Sequence, residues 1–281
     1  MSVISLGIYE KAFPENLSMS EMLCLAKESG YDFFEISIDR SDKRINRVFC
    51  EEETDRIKKA IEYTGFPIEH IGLSALSQYT LGNSDRDIQL KGIEIFKKTV
   101  IFAKKIGGRL IQIPACDTPK FVPRDEETDQ RYIYTLKKLI EFAAKEGVMV
   151  ALENMEEEYS GTVERCSRIV DLIGSPYLKL YPDSGNVTNA SRFSKKTILE
   201  DMQSGKGQYV AFHLKEVRNN KYGGLYYGEG IVDFPTIVHE AFLLGARRFV
   251  MEYWYTGNTE WKEDLINAKN KFWNWLEING E

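Results

Sequence analysis

The 281-residue chain holds only three histidines, His70, His213 and His239, and four cysteines, Cys24, Cys50, Cys116 and Cys166, none of them in a C-x-x-C arrangement. Such scattered thiols exclude a zinc knuckle and a disulfide framework, and read as small apolar residues of a cytoplasmic protein. Blocks of lysine or arginine are also missing. With 37 basic against 43 acidic residues the formal charge is −6 and the pI about 5.4, which argues against a surface built to coat nucleic acid. Long apolar runs are absent, and the opening MSVISLGIYEK lacks a basic region followed by an apolar core. Neither a membrane partner nor a secretory leader is therefore expected. Finally, no G-x-G-x-x-G follows the first apolar run, where GIYEKAFPENLS stands. That counts against a dinucleotide-binding open sheet, the main architectural alternative.

What is present is a recurring unit: an amphipathic segment, a glycine, then a short run of apolar and β-branched residues. AKESGYDFFEIS, EYTGFPIEHIGLS, AKKIGGRLIQI, AAKEGVMVALEN, DLIGSPYLKLYPD, SGKGQYVAFHLKE and LLGARRFVMEY all fit. Glycine just past a helix supplies a left-handed cap that turns the chain toward the next strand. With VISLGIY the pattern predicts eight strands, near 3–8, 33–37, 68–73, 109–114, 148–153, 178–182, 209–214 and 248–253. Helices are predicted near 18–29, 52–64, 86–106, 126–146, 161–173, 194–204, 234–244 and 259–277. The strands are continuous apolar runs rather than alternating ones, as expected where both sheet faces are buried. Eight such units without a Pro/Gly/Ser-rich linker point to one α/β domain over 1–281, a (β/α)8 TIM barrel.

In such a barrel, chemistry gathers at the C-terminal ends of the strands. VMVALEN ends near Glu153, YLKLYPD at Asp183, YVAFHLK carries His213 and FVMEYW carries Glu252. Thirty residues separate Glu153 from Asp183 and Asp183 from His213, and thirty-nine separate His213 from Glu252, about one βα unit each. Alone, each has an ordinary reading: a solvated strand-end glutamate, a turn aspartate, a core histidine. Together, at equivalent positions of four successive units, they form a set suited to a divalent cation. Carboxylates favour Mg²⁺ or Mn²⁺, and the imidazole admits Zn²⁺, Co²⁺ or Fe²⁺. His70 and His239 lack this context and are read as structural.

At these residues, and in LGIYEKAFP, GYDFFEIS, LGNSD, RLIQI, ALENM, LYPDSGN, FHLKEV, YGEGIVDF and VMEYW, the chain resembles the xylose-isomerase-like TIM barrels. Within them it is similar to the L-ribulose-5-phosphate 3-epimerases (L-xylulose-5-phosphate 3-epimerases, earlier described as hexulose-6-phosphate isomerases) of L-ascorbate degradation and related pentose phosphate metabolism. The resemblance implies that Glu153, Asp183, His213 and Glu252 bind one divalent metal ion, and that Glu153 and Glu252 also exchange the substrate proton. C3 epimerisation of a ketose needs an acid/base group on each face of C3 and a cation to offset the charge of the enediolate. Asn186, Lys215, Glu216, Arg218 and Lys11 are candidate substrate contacts, and Tyr9, Tyr253 and Trp254 candidate apolar walls.

The loop after strand three departs from the family pattern, with Leu76, Ser77 and Gln78 where relatives carry basic residues, which makes an unphosphorylated ketose an alternative substrate. An aldose–ketose isomerase on the same metal site and a non-catalytic sugar-binding barrel are the competing readings. The few histidines and the negative charge count against a DNA-repair endonuclease on the same barrel. The aromatic segment NKFWNWLEI either packs on the barrel or contributes to a homodimer.

Overall fold

Glu51–Thr64 and Arg86–Ile106 are amphipathic helices that each run into a glycine, Gly65 and Gly107, with φ of +61° and +82°. Only glycine adopts that conformation at little cost, so the chain turns there and enters the next strand. The computed structural model, which describes residues 4–119, 122–156, 159–218, 221–222 and 224–277, repeats this unit around a closed ring. Its strands are β1 (Ser5–Tyr9), β2 (Phe33–Ser37), β3 (Ile68–Gly72), β4 (Leu110–Pro114), β5 (Met149–Glu153), β6 (Leu178–Leu180), β7 (Phe212–Leu214) and β8 (Arg248–Met251). The main helices are α1 (Met19–Glu28), α2 (Glu51–Thr64), α3 (Arg86–Ile106), α4 (Thr128–Lys145), α5 (Val163–Ile173), α6 (Ile198–Gln203), α7 (Phe234–Leu243) and α8 (Trp261–Glu277).

The strands are parallel and run in the order β6-β5-β4-β3-β2-β1-β8-β7. The seam between β6 and β7 is closed by two isolated bridges, Leu180 with Tyr209 and Asp183 with His213. The His213 N–H donates to the Pro182 carbonyl at 2.8 Å. The architecture is thus the TIM barrel expected from the sequence.

Two apolar clusters fill it. The larger lies between sheet and helices and includes Leu6, Phe34, Ile36, Ile111, Phe96, Leu136, Phe249 and Phe272. The smaller fills the barrel interior with Phe33, Leu110, Ala151, Tyr181, Ala211 and Val250. Burying each large side chain contributes about 1.5–3 kcal/mol. α8 packs onto the barrel through buried Leu265, Ala268 and Phe272, and Trp275 stacks on Phe234 at 4.3 Å. Packing therefore accounts for the aromatic residues of NKFWNWLEI.

The strands sit close to where the sequence places them; of the first predicted run, Val3 lies outside the described residues. β6 and β7 are three residues each, shorter than 178–182 and 209–214, because their shared seam holds isolated bridges rather than a continuous ladder. The helix predicted near 194–204 is confined to Ile198–Gln203 by a Thr197–Glu200 capping box, and a separate helix, Ser184–Ala190, precedes it. A two-residue antiparallel ribbon, Val217–Arg218 with Lys221–Tyr222, follows β7 and was not expected. No helix among the described residues is long and apolar enough to cross a membrane.

Candidate active site

The C-terminal rim is built from four successive strand ends. Glu153 is the last residue of β5, and Glu252 follows β8 directly, its N–H donating to the Leu214 carbonyl at 2.9 Å. Asp183 caps the helix Ser184–Ala190, its side chain accepting from the Asn186 N–H at 2.7 Å. His213 is the central residue of β7. Gly185 is required by close approach, since a Cβ there would stand 2.5 Å from Val217 Cγ1 and 3.0 Å from the Lys215 carbonyl. The turn in PDSGN is thereby pressed against the segment that follows β7.

One ligand atom from each of Glu153, Asp183, His213 and Glu252 falls within 4.8 Å of the others, and all four residues are buried. His213 Nδ1 lies 3.3 Å from Glu153 Oε1 and 3.0 Å from Glu252 Oε2. Asp183 Oδ1 faces Lys215 Nζ at 3.1 Å. Asp183 Oδ2 is buried without a hydrogen-bond partner, and Glu252 Oε2 makes no hydrogen bond beyond its ion-pair contact with His213 Nδ1. Orphaned carboxylate oxygens are costly in a low-dielectric interior, and a divalent cation among three carboxylates and an imidazole would satisfy them. The residues fit such an ion.

The charges say the same. Burial pushes the Asp183 carboxyl up to about 8, against the pull of Lys215. Burial likewise raises Glu153, with His213 opposing and Glu252 adding to the rise. Burial opposes charge on His213, but Glu35 and Glu252 outweigh it and hold its pKa well above the usual imidazole range. Lys215 is kept charged in the same way by Asp183, Glu252 and Glu153. Without a cation the cluster therefore tends to take up protons, as a deprotonated ligand set waiting for positive charge would.

Residues 23–271 match the family model described as Xylose isomerase-like TIM barrel. The chain belongs to that family. It is 34% identical over 232 residues to the L-ribulose-5-phosphate 3-epimerase UlaE of Escherichia coli (strain ATCC 8739), covering 82% of this chain and 80% of the relative. To the probable L-ribulose-5-phosphate 3-epimerase UlaE of Mycoplasma pneumoniae it is 32% identical over 230 residues, covering 82% and 74%. The fold superposes on a crystal structure of D-allulose 3-epimerase from Methylomonas sp. with a TM-score of 0.79 at 15% identity, covering 98% and 99% of the two chains. The L-ribulose-5-phosphate 3-epimerase family is thus the branch of the xylose isomerase-like barrels to which the chain belongs, and the chain is an epimerase, a member of the isomerase class.

Against the xylose isomerase-like frame, the predicted substrate contacts separate. Lys215 lines a cleft of about 530 Å³ together with Tyr9, Lys11, Glu153, Glu252 and Trp254. Lys11 also borders an adjoining cleft of about 850 Å³ with Arg40, Ser41, Ser74, Ser77 and Gln78, and pairs with Asp39 at 2.9 Å. Asn186 donates its side-chain amide to the Asn154 carbonyl at 2.7 Å, while its Oδ1 is buried and unpartnered.

Two candidates stand apart from these. Both Glu216 oxygens are committed to backbone, accepting from Val217 N–H at 3.0 Å, Val232 N–H at 3.1 Å and Gly228 N–H at 3.0 Å. Glu216 thereby organises the following loop. Arg218 is exposed on the ribbon and borders neither cleft.

Of the three aromatic candidates, Tyr9 and Trp254 meet edge to face at 6.3 Å beside the cleft, whereas Tyr253 packs against Tyr226 and Tyr227 at 5.4 and 5.6 Å. In the loop after β3, Leu76 turns into the core, and Ser77 and Gln78 face the larger cleft. Two polar neighbours of the site escaped sequence reading. Gln112 on β4 donates to Glu153 Oε2, and Glu35 on β2 meets His213 Nε2 at 2.7 Å. Burial would raise Glu35, but the charge and hydrogen bond of His213, aided by His70, hold it down at about 2.

Proposed function

We propose that the chain is a metal-dependent 3-epimerase that interconverts L-ribulose 5-phosphate and L-xylulose 5-phosphate in the cytoplasm. The observation that carries this reading is that Glu153, from β5, and Glu252, from the end of β8, both stand beside His213 Nδ1, at 3.3 and 3.0 Å. Two carboxylates from β5 and from the end of β8 can then address opposite faces of a ketose lying over β6 and β7. A divalent cation held by Glu153, Asp183, His213 and Glu252 would supply the positive charge that stabilises the enediolate.

Epimerisation at C3 begins when one ionised glutamate takes the proton from C3. It ends when the other glutamate, protonated, returns a proton to the opposite face, so the two exchange roles in each turnover. Burial assists by raising Glu153, which favours its acid form. The charged Lys215 beside Asp183 keeps net negative charge at the site low. Tyr9 and Trp254 supply an apolar wall, and Lys11 and Arg40 at the larger cleft provide cations for the phosphate end. The names of the relatives support the phosphorylated ketopentose as substrate.

The test is incubation with L-ribulose 5-phosphate, and separately with L-ribulose, in D₂O with and without a chelator. Deuterium at C3 only in the absence of chelator is expected, faster for the phosphate. Deuterium at C1 would instead mark an aldose–ketose isomerase. No incorporation with either sugar in the presence of Mn²⁺, Co²⁺, Zn²⁺ or Mg²⁺ would leave a non-catalytic sugar-binding barrel.

A further inference from the structure

Inside the barrel, below the rim, a file of polar groups crosses an otherwise apolar interior. Glu35 on β2 and Tyr181 after β6 are 0% exposed, His70 on β3 is 2% exposed and His213 3%. Glu35 Oε1 lies 2.7 Å from His213 Nε2. The other oxygen, Oε2, accepts from the Tyr181 hydroxyl at 2.7 Å. The Tyr181 oxygen is in turn 3.0 Å from His70 Nδ1, and His70 reaches a cavity of about 510 Å³ with Pro67, Arg109 and Arg248. The neighbouring interior side chains are Phe33, Leu110, Ala151, Ala211 and Val250, so these polar atoms have little but one another to bond.

We infer that Glu35, Tyr181 and His70 form a positioning file that presents His213 Nδ1 to the cation; the inference rests on the metal site proposed above. A histidine ligand needs a lone pair on one ring nitrogen and a proton on the other, and an acceptor on the far side fixes which is which. Glu35 accepts at Nε2, which leaves Nδ1 as the ligating atom, and Nδ1 is the nitrogen that stands beside Glu153 and Glu252. The carboxylate itself is anchored. Tyr181 donates to Oε2, and with its only proton spent there its oxygen receives the Nδ1–H of His70. His70 thus ends the file as a donor, which accounts for a buried histidine far from the rim. A network that merely satisfied buried polar groups would stabilise the barrel without changing how His213 meets a metal ion.

The experiment separates these outcomes. Metal-free wild type, Glu35→Gln and Tyr181→Phe are titrated with Co²⁺ in competition with a chromophoric chelator, and the visible spectrum of the bound Co²⁺ and the melting temperature of the metal-free proteins are recorded. Glu35→Gln replaces the acceptor pair by one acceptor and one donor at nearly constant shape. It is expected to weaken Co²⁺ binding about 10–100-fold and to alter the spectrum. Tyr181→Phe removes only the second hydrogen bond and is expected to weaken binding roughly threefold to tenfold. If Glu35→Gln does not fold, Tyr181→Phe decides alone. Binding within twofold of wild type with an unchanged spectrum would overturn the inference while the metal site stands. Failure of the wild type to bind Co²⁺ would overturn the metal site and the inference with it.

Discussion

Lys215 Nζ stands 3.1 Å from Asp183 Oδ1, and both side chains are buried beneath the rim. The ammonium thus fixes one carboxylate oxygen and leaves the other, Oδ2, without a hydrogen-bond partner. Removing one member of a buried pair strands the other, typically at about 3–5 kcal/mol. For Lys215→Met the loss of stability is expected near the lower end, about 3 kcal/mol, because Asp183 can relieve its charge by taking up a proton. Urea unfolding of the metal-free proteins measures it, and addition of Mn²⁺ or Zn²⁺ should recover part of the difference.

Part of the acid sensitivity should arise at Glu10, outside the four-residue group. Its buried carboxylate accepts from Arg47 at 2.6 and 2.7 Å and from the Ser37 N–H at 2.8 Å. Burial alone would raise Glu10, but Arg47, then Arg44 and the backbone donor, bring it below its ordinary value of 4.5. A group whose folded pKa is depressed stabilises the fold above its unfolded pKa, and the stabilisation disappears as pH falls through the folded value. Stability should therefore decline as pH drops below about 4.5. Glu10→Gln should be less stable at pH 7 and show a flatter acid limb in unfolding curves measured between pH 7 and 3.

Arg40 tests the phosphate end. It borders the larger cleft with Lys11, Ser41 and Ser77 and stands apart from the four-residue group. Loss of one charge-assisted contact is expected to raise KM for L-ribulose 5-phosphate about tenfold in Arg40→Ala. KM for L-ribulose should change less than twofold. Equal effects on both sugars would show that the cleft does not hold the phosphate.

Much of the barrel was legible because a glycine marks the end of helix after helix and continuous apolar runs mark the strands. The four rim residues were legible because each sits one βα unit from the next. Glu35 and Gln112 were not, since they lie inside FFEIS and LIQIP, strands with both faces buried. Periodicity cannot say there which side chain points into the barrel and which toward the helices. The backbone contacts of Glu216 were hidden for a different reason. Its position beside Lys215 suggested the rim, but the turn into the ribbon rotates its carboxylate onto the amides of Val217, Gly228 and Val232. Short-range sequence carries little information about such a reversal.

The central claim is that Glu153 and Glu252 act on opposite faces of C3. The direct measurement is deuterium exchange at C3 for Glu153→Gln and Glu252→Gln, each loaded with metal and each given L-ribulose 5-phosphate and L-xylulose 5-phosphate separately in D₂O. Each variant is predicted to lose epimerisation by about 100-fold or more, yet to exchange the C3 proton of one epimer only, with the two variants choosing opposite epimers. Full turnover by either variant, or exchange from the same epimer in both, would contradict the two-glutamate account.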